Sequence, residues 1–117
     1  MRVMVVGSRD FNNERRIWRA MNNATAGQDG PHTLVVGGGR RGAEYIARDL
    51  ADEFSWDIEK HSANPEHGDE AGRRRNKALV ASGADVCLAF LCDGAAWAQD
   101  AAARAKRAGI PVWRYVQ

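Results

Sequence analysis

The sequence predicts an α/β protein with a Rossmann-like, three-layer sandwich and a five-stranded parallel sheet in the order 3-2-1-4-5. Three observations carry this. Apolar blocks alternate with helical periodicity five times along 117 residues, and strands alternating with helices imply a parallel sheet covered on both faces. Three of the blocks, at Val3–Val6, Thr33–Val36 and Asp85–Leu91, are almost continuously apolar, as strands buried on both faces must be. The other two, Asp57–His61 and Pro111–Val116, are interrupted by charge and read as sheet edges. Edges at strands three and five select 3-2-1-4-5, because the flavodoxin order 2-1-3-4-5 would bury the polar third strand.

Each element has its own signal. Val3-Met4-Val5-Val6 is the first strand. The first helix spans Asn13 to Ala24, with Ile17, Trp18 and Met21 inward and Asn12 or Asn13 as its cap. Gly27 to Pro31 is a turn-rich break before the second strand. The second helix places Ala43, Ile46, Ala47, Leu50 and Phe54 on one stripe, and Glu44 and Arg48 form an i,i+4 pair on its wet face. Asp57 to His61 is the third strand, followed by a long polar loop from Ser62 to Gly72. The third helix runs to Ala81 and stops at Gly83. After the fourth strand, an alanine-rich fourth helix from Ala95 to Ala108 is ended by Gly109, and the fifth strand closes the chain.

Composition bounds the function. The length suits a single domain, residues 1–117, with one ordinary core. A formal net charge of +2 excludes a bulk polycation, so the arginines matter by placement. Cys87 and Cys92 are too few and too close for a disulfide framework or a zinc site. Arg2 precedes only four apolar residues before Gly7, which is no secretory leader, and no run reaches membrane-spanning length. The expected location is cytoplasmic.

Arginines open three successive helices: Arg15 and Arg16, Arg40 and Arg41, and Arg73 to Arg75, with Arg9 in the loop after the first strand. A cation at a helix N-terminus is disfavoured by ~0.3–1 kcal/mol, so the repetition points to an anion held between them. Helix N-termini bind phosphate through free backbone N–H groups. The order 3-2-1-4-5 reverses direction between strands one and four, and ligands bind at the carboxyl ends of the strands there. The loops at that point are Gly7-Ser8-Arg9-Asp10 and Leu91-Cys92-Asp93-Gly94, with Gly37 to Gly42 alongside.

Several motifs have two readings. Gly37-Gly38-Gly39-Arg40-Arg41-Gly42-Ala43 is either a tight strand-to-helix turn or a phosphate loop whose glycines admit an anion to the backbone. It matches G-x-G-x-x-G but follows the second strand, and it continues Ala43-Glu44 where a P-loop needs Lys and Ser/Thr. Gly7, Ser8 and Arg9 suit an oxygen-rich ligand; alternatively Asp10 pairs with Arg9 or caps the next helix. Arg75 and Asn76 lean toward the sheet, so Arg75 needs an anion: ligand, or a carboxylate such as Asp69 or Glu70. Asp100 is a candidate acid, or a partner of Arg104 at i+4. Trp97 is either a stacking platform for a base or ordinary packing. His61 and His67 make no metal site; neither metal nor cofactor is expected.

Gly7-Ser8-Arg9, the Gly37–Gly42 block with Ala43, Arg75-Asn76 and the closing Ala108-Gly109-Ile110-Pro111-Val112 resemble the YspA-type, YpsA-related branch of the SLOG superfamily over nearly the whole chain. The resemblance implies a Rossmann-like fold that binds a nucleotide or nucleotide-derived ligand. Relatives include phosphoribohydrolases that cleave base from ribose monophosphate. Residue by residue, it places the first-loop arginine on Arg9, the second-loop glycines on Gly38, Gly39 and Gly42, and the helix-three pair on Arg75 and Asn76, where phosphoribohydrolases carry a catalytic arginine. The superfamily's proline- and glycine-rich fourth loop is replaced by Leu91-Cys92-Asp93-Gly94-Ala95-Ala96-Trp97-Ala98, with Asp100 near the expected acid.

The expected function is binding of a nucleotide-like phosphate ligand by Gly7, Ser8, Arg9, Gly38, Gly39, Arg40, Gly42, Arg75, Asn76, Asp93, Gly94 and Trp97. The first alternative is an N-glycosidase of nucleoside monophosphates using Arg75 and an acid, Asp100 or Asp93. The second is a nucleic-acid-binding module, disfavoured by the small net charge. The expected partners are a small nucleotide-like ligand and, by analogy with relatives, a second copy forming a homodimer; no membrane partner is expected.

Overall fold

The computed structural model describes residues 1–117. Five parallel strands, β1 (Arg2–Gly7), β2 (Thr33–Gly37), β3 (Asp57–His61), β4 (Val86–Leu91) and β5 (Val112–Val116), lie in the order β3-β2-β1-β4-β5. The helices are α1 (Glu14–Ala24), α2 (Ala43–Glu53), α3 (Ala71–Ala81) and α4 (Ala96–Arg107). The Rossmann-like order read from strand polarity is the order observed.

Strand alternation divides the core into two layers. Val3, Val5, Leu34, Val36, Leu88 and Phe90 face α1 and α2, where they meet Phe11, Ile17, Met21, Ala47 and Leu50. Met4, Val6, Val35, Cys87, Ala89 and Leu91 face α3 and α4. On that side α4 contributes only Ala98, Ala101, Ala102 and Ala105, and Leu79 is the one large apolar residue from α3 that is fully buried. β3 and β5 are largely exposed, as edge strands. Arg2 ties the edge to the centre. Its guanidinium donates to both oxygens of Glu59 and to the carbonyls of Ser82 and Gly83.

Three sequence expectations are corrected and one alternative is resolved. Trp18 is not inward: it is exposed and meets Phe54, also exposed, across the α1–α2 seam. Both rings flank the apolar stripe and do not lie within it. The stretch Ser62–Gly72 is not all loop, because a short 3-10 helix spans Pro65–Glu70, capped by the Asn64 side chain, and leads directly into α3. Of the two capping candidates, Asn13 caps α1, accepting from Arg16 N–H. Glu44 and Arg48 do not pair on a wet face. Arg48 donates to the carbonyls of Gly37 and Gly39, and Glu44 is buried against another partner. No helix is long and apolar enough to cross a membrane.

Candidate functional site

Because the chain reverses between the central strands β1 and β4, the loops after them part and leave a hollow at the carboxyl edge. A cavity of about 490 Å³ opens there, within the range of small-ligand sites. Its lining comes from loop 1 (Gly7, Ser8, Arg9, Asp10), loop 2 and the start of α2 (Gly39, Arg41, Glu44), Arg75 of α3, and the turn into α4 (Asp93, Gly94, Ala95, Ala96, Trp97, Ala98).

Loop 1 is held by its own backbone. Ser8 N–H donates to Phe90 C=O, Ser8 C=O accepts from Phe11 and Ala43, and the Ser8 hydroxyl accepts from Asp10 N–H. Phe11, fully buried, anchors the loop's far end. Gly42 makes the contact with loop 2 feasible. Its φ is +78°, and a Cβ there would lie 2.4 Å from Ser8 O and 2.6 Å from the Arg9 backbone. Arg41 reaches across the mouth to Asp10 at 3.5 Å, both side chains in solvent, so the contact contributes little to stability.

Beneath the mouth lies a carboxylate–guanidinium pair. Glu44 and Arg75 have side chains only 13% and 15% exposed, with Oε1 to NH1 at 3.7 Å. Glu44 Oε1 is buried with no hydrogen-bond partner. Burial pushes the Glu44 carboxyl above the usual range, outweighing the Arg75 charge, the Gly39 N–H, Arg48 and the Gly7 N–H that pull it down. Arg75 Nε donates to Asn76 Oδ1 at 2.8 Å. Asn76, at 0% exposure, also donates to Trp97 C=O and Asp100 Oδ2, both at 3.0 Å, and so fastens α3 to the first turns of α4. Trp97 is half exposed, its indole lying over Gly72, where a Cβ would come within 2.7 Å. The helices α2 and α4 both begin without a side-chain cap; their first N–H groups, Ala43 and Ala96, donate to Ser8 and Gly94 C=O, and the next ones in the first turn are left to meet an anion.

Of the residues singled out in the sequence, Gly7, Ser8, Arg9, Gly39, Arg75, Asp93, Gly94 and Trp97 meet in this cavity. Gly38, Arg40, Gly42, Asn76 and Asp100 are not in its lining. Gly38 packs on Ser62 and Gly42 on loop 1; Arg40 is exposed; Asn76 lies behind Arg75. Desolvation pushes the Asp100 carboxyl up, but hydrogen bonds from Asn76 and Arg104 prevail and hold it below the usual range. The partner of Arg75 is Glu44, while Glu70 pairs with Arg73. The helix-opening arginines do not all converge: Arg9, Arg41 and Arg75 line the cavity, whereas Arg16 lies near the rings of Phe11 and Tyr115. No group of three or more His, Cys, Asp or Glu residues could hold a metal ion. Glu44 is the residue that sequence reasoning misassigned. Its signal was the spacing to Ala47 and Ala51 at i+3 and i+7, both fully buried, which puts Glu44 on the inward stripe.

The model of the YAcAr family (YspA, cpYpsA-related SLOG) matches residues 1–68. The chain is also 37% identical over 122 residues to the gene 61 protein of Mycobacterium phage D29, a likeness covering 95% of this chain and 93% of that protein. No solved structure matches.

Proposed function

This chain belongs to the YspA, cpYpsA-related SLOG family, and from that premise we propose that it binds a nucleotide or nucleotide-derived phosphate ligand at the carboxyl edge of its sheet. The observation that carries the reading is the meeting of Arg9, Arg41, Arg75 and the uncapped start of α4 around one glycine-bordered cavity at the β1–β4 reversal. Arginine suits a phosphate because its planar fork donates two parallel hydrogen bonds. The Trp97 and Ala98 N–H groups, which follow the bonded Ala95 and Ala96 N–H groups, add donors that cost no side-chain ordering. Trp97, half exposed at the rim, offers a face on which a base can stack.

Thermal unfolding against a panel of nucleotides, cyclic nucleotides and ADP-ribose derivatives tests this. A ligand at a hundred times its dissociation constant adds ~2.7 kcal/mol, a visible rise in Tm, and that rise is lost in Arg75→Ala. A folded protein that responds to no member of the panel refutes the reading.

Binding without cleavage is favoured over N-glycoside hydrolysis. Asp100 is held ionised by Asn76 and Arg104, outside the cavity lining, which disqualifies it as a donor to a departing base. Catalytic release of free base, abolished in Arg75→Ala, would reverse that preference. The nucleic-acid reading draws on a different surface, an open depression between α3 and α4 bordered by Arg73, Arg74, Lys77 and Arg104. Retention on DNA at low salt that falls steeply with added salt, and that disappears in Arg74→Glu, would support it.

A further inference from the structure

The two sides of the cavity differ in chemistry. The α4 side and Arg75 present donors. The α2 side presents Glu44, an acceptor held below the surface, while the other two acids of the lining, Asp10 and Asp93, stand in solvent among Arg9, Arg41 and Arg75. A buried carboxylate is normally satisfied by two or more donors. This one borders the cavity, its nearest cation stands at 3.7 Å, beyond hydrogen-bond reach, and its Oε1 has no partner. The pair is built around Gly37, the last residue of β2: a Cβ there would fall 2.2 Å from Glu44 Oε1 and 2.5 Å from Arg75 NH1. Space has been cleared for an acid beneath the site; the Gly39 and Gly7 N–H groups draw on its carboxyl, yet its Oε1 is left without a hydrogen-bond donor.

We propose that Glu44 sets the specificity of this site by accepting hydrogen bonds from the vicinal 2′- and 3′-hydroxyls of a ribose 5′-phosphate unit, whose phosphate lies toward Arg75 and the start of α4. This rests on the nucleotide reading above and deepens it. The missing donor is taken to be neutral, since a ligand ammonium at Glu44 Oε1 would meet the Arg75 guanidinium, already 3.7 Å from that oxygen. A nucleobase has its own apolar surface at Trp97, on the opposite rim. Sugar hydroxyls are neutral, come in a ribonucleotide as an adjacent pair that one carboxylate can accept together, and belong to the ring that joins base to 5′-phosphate.

The test compares matched probes on the wild-type protein by calorimetry: ribose 5-phosphate, the four common nucleoside 5′-monophosphates, and their 2′,3′-dideoxy counterparts. The ribose forms should bind at least about tenfold more tightly than the dideoxy forms, because a site built to bond a hydroxyl rejects the analogue lacking it. In Glu44→Gln and Glu44→Ala, with folding checked by circular dichroism, the preference should shrink to roughly threefold or less as the acceptor is weakened or removed. Equal binding of ribose and dideoxy forms by the wild type overturns this inference and leaves phosphate binding standing. A preference that survives in both variants shows that another group reads the sugar, and also overturns it. If none of these phosphates binds folded protein, the nucleotide reading and this inference fall together. The wild-type comparison decides even if neither variant folds.

Discussion

Replacing Asn76 with alanine severs three hydrogen bonds at one fully buried position: from Arg75 Nε, to Trp97 C=O and to Asp100 Oδ2. A bond between neutral partners contributes ~0.5–1.5 kcal/mol and one to a charged partner ~1.5–3 kcal/mol. Arg75 and Asp100 each keep another partner, Glu44 and Arg104, so their losses fall at the lower end. Trp97 C=O, in the first turn of α4, loses its side-chain donor. Adding the small void left by the amide, we expect Asn76→Ala to destabilise by about 3–5 kcal/mol. For a domain of this size that lowers Tm by roughly 12–20 °C. Thermal and urea unfolding followed by circular dichroism measure it, and Asn76→Asp should be at least as damaging, since it sets a second carboxylate against Asp100. The variant should also bind phosphate ligands less tightly below its Tm, because Arg75 loses the bond that orients it. A loss of less than about 1 kcal/mol would refute the claim that Asn76 clamps α3 to α4.

Gly42→Ala and Gly94→Ala form a matched pair with φ of +78° and +79°. Both acquire backbone strain of ~1–3 kcal/mol, but only at Gly42 does the new methyl meet backbone, at Ser8 and Arg9, so it should cost about 1–3 kcal/mol more by overpacking; equal losses in chemical denaturation would contradict the loop contact. Burial pushes the Cys87 thiol up to about 12, so a thiol reagent at neutral pH should label Cys92 alone in the folded protein and both in denaturant; rapid double labelling would show that β4 opens readily. The hydrogen bonds from Arg2 and His61 lower the Glu59 carboxyl to about 2. Its contribution is therefore complete above the unfolded value near 4.5 and is lost as pH falls from there toward 2. Solvent screening limits it to about 1 kcal/mol, so Glu59→Gln should lose up to that much at pH 7 and little more than the wild type at pH 2.

The sheet was legible because burial writes itself into strand composition. The polar Asp57–His61 could only be an edge, and that residue run decided between the two doubly wound orders. Loop 1 was legible because charge and glycine at a strand end have few uses other than shaping a site, and Arg75 because a cation on the inward side of a helix needs an anion. Glu44 was misassigned, because a Glu four residues before an Arg reads as a solvent pair and outweighed its spacing to Ala47 and Ala51; the approach of Gly37 and Arg75 shows what it faces. Asp100 and Arg104 were legible as a pair, but the third member, Asn76, came from a different helix. The arginines of α1 failed to join the cavity because Arg16 is drawn to Tyr115 and to the carbonyl of Val116, partners on β5 that periodicity does not reveal.

The run of alanines by which α4 rests on the sheet leaves that helix no compressible cushion. Lengthening any one of those methyls would lift the helix bodily and carry its leading end, Gly94 to Trp97, away from β1. Heritable change far beneath the mouth can thus retune what enters it, while every residue that touches the guest stays the same.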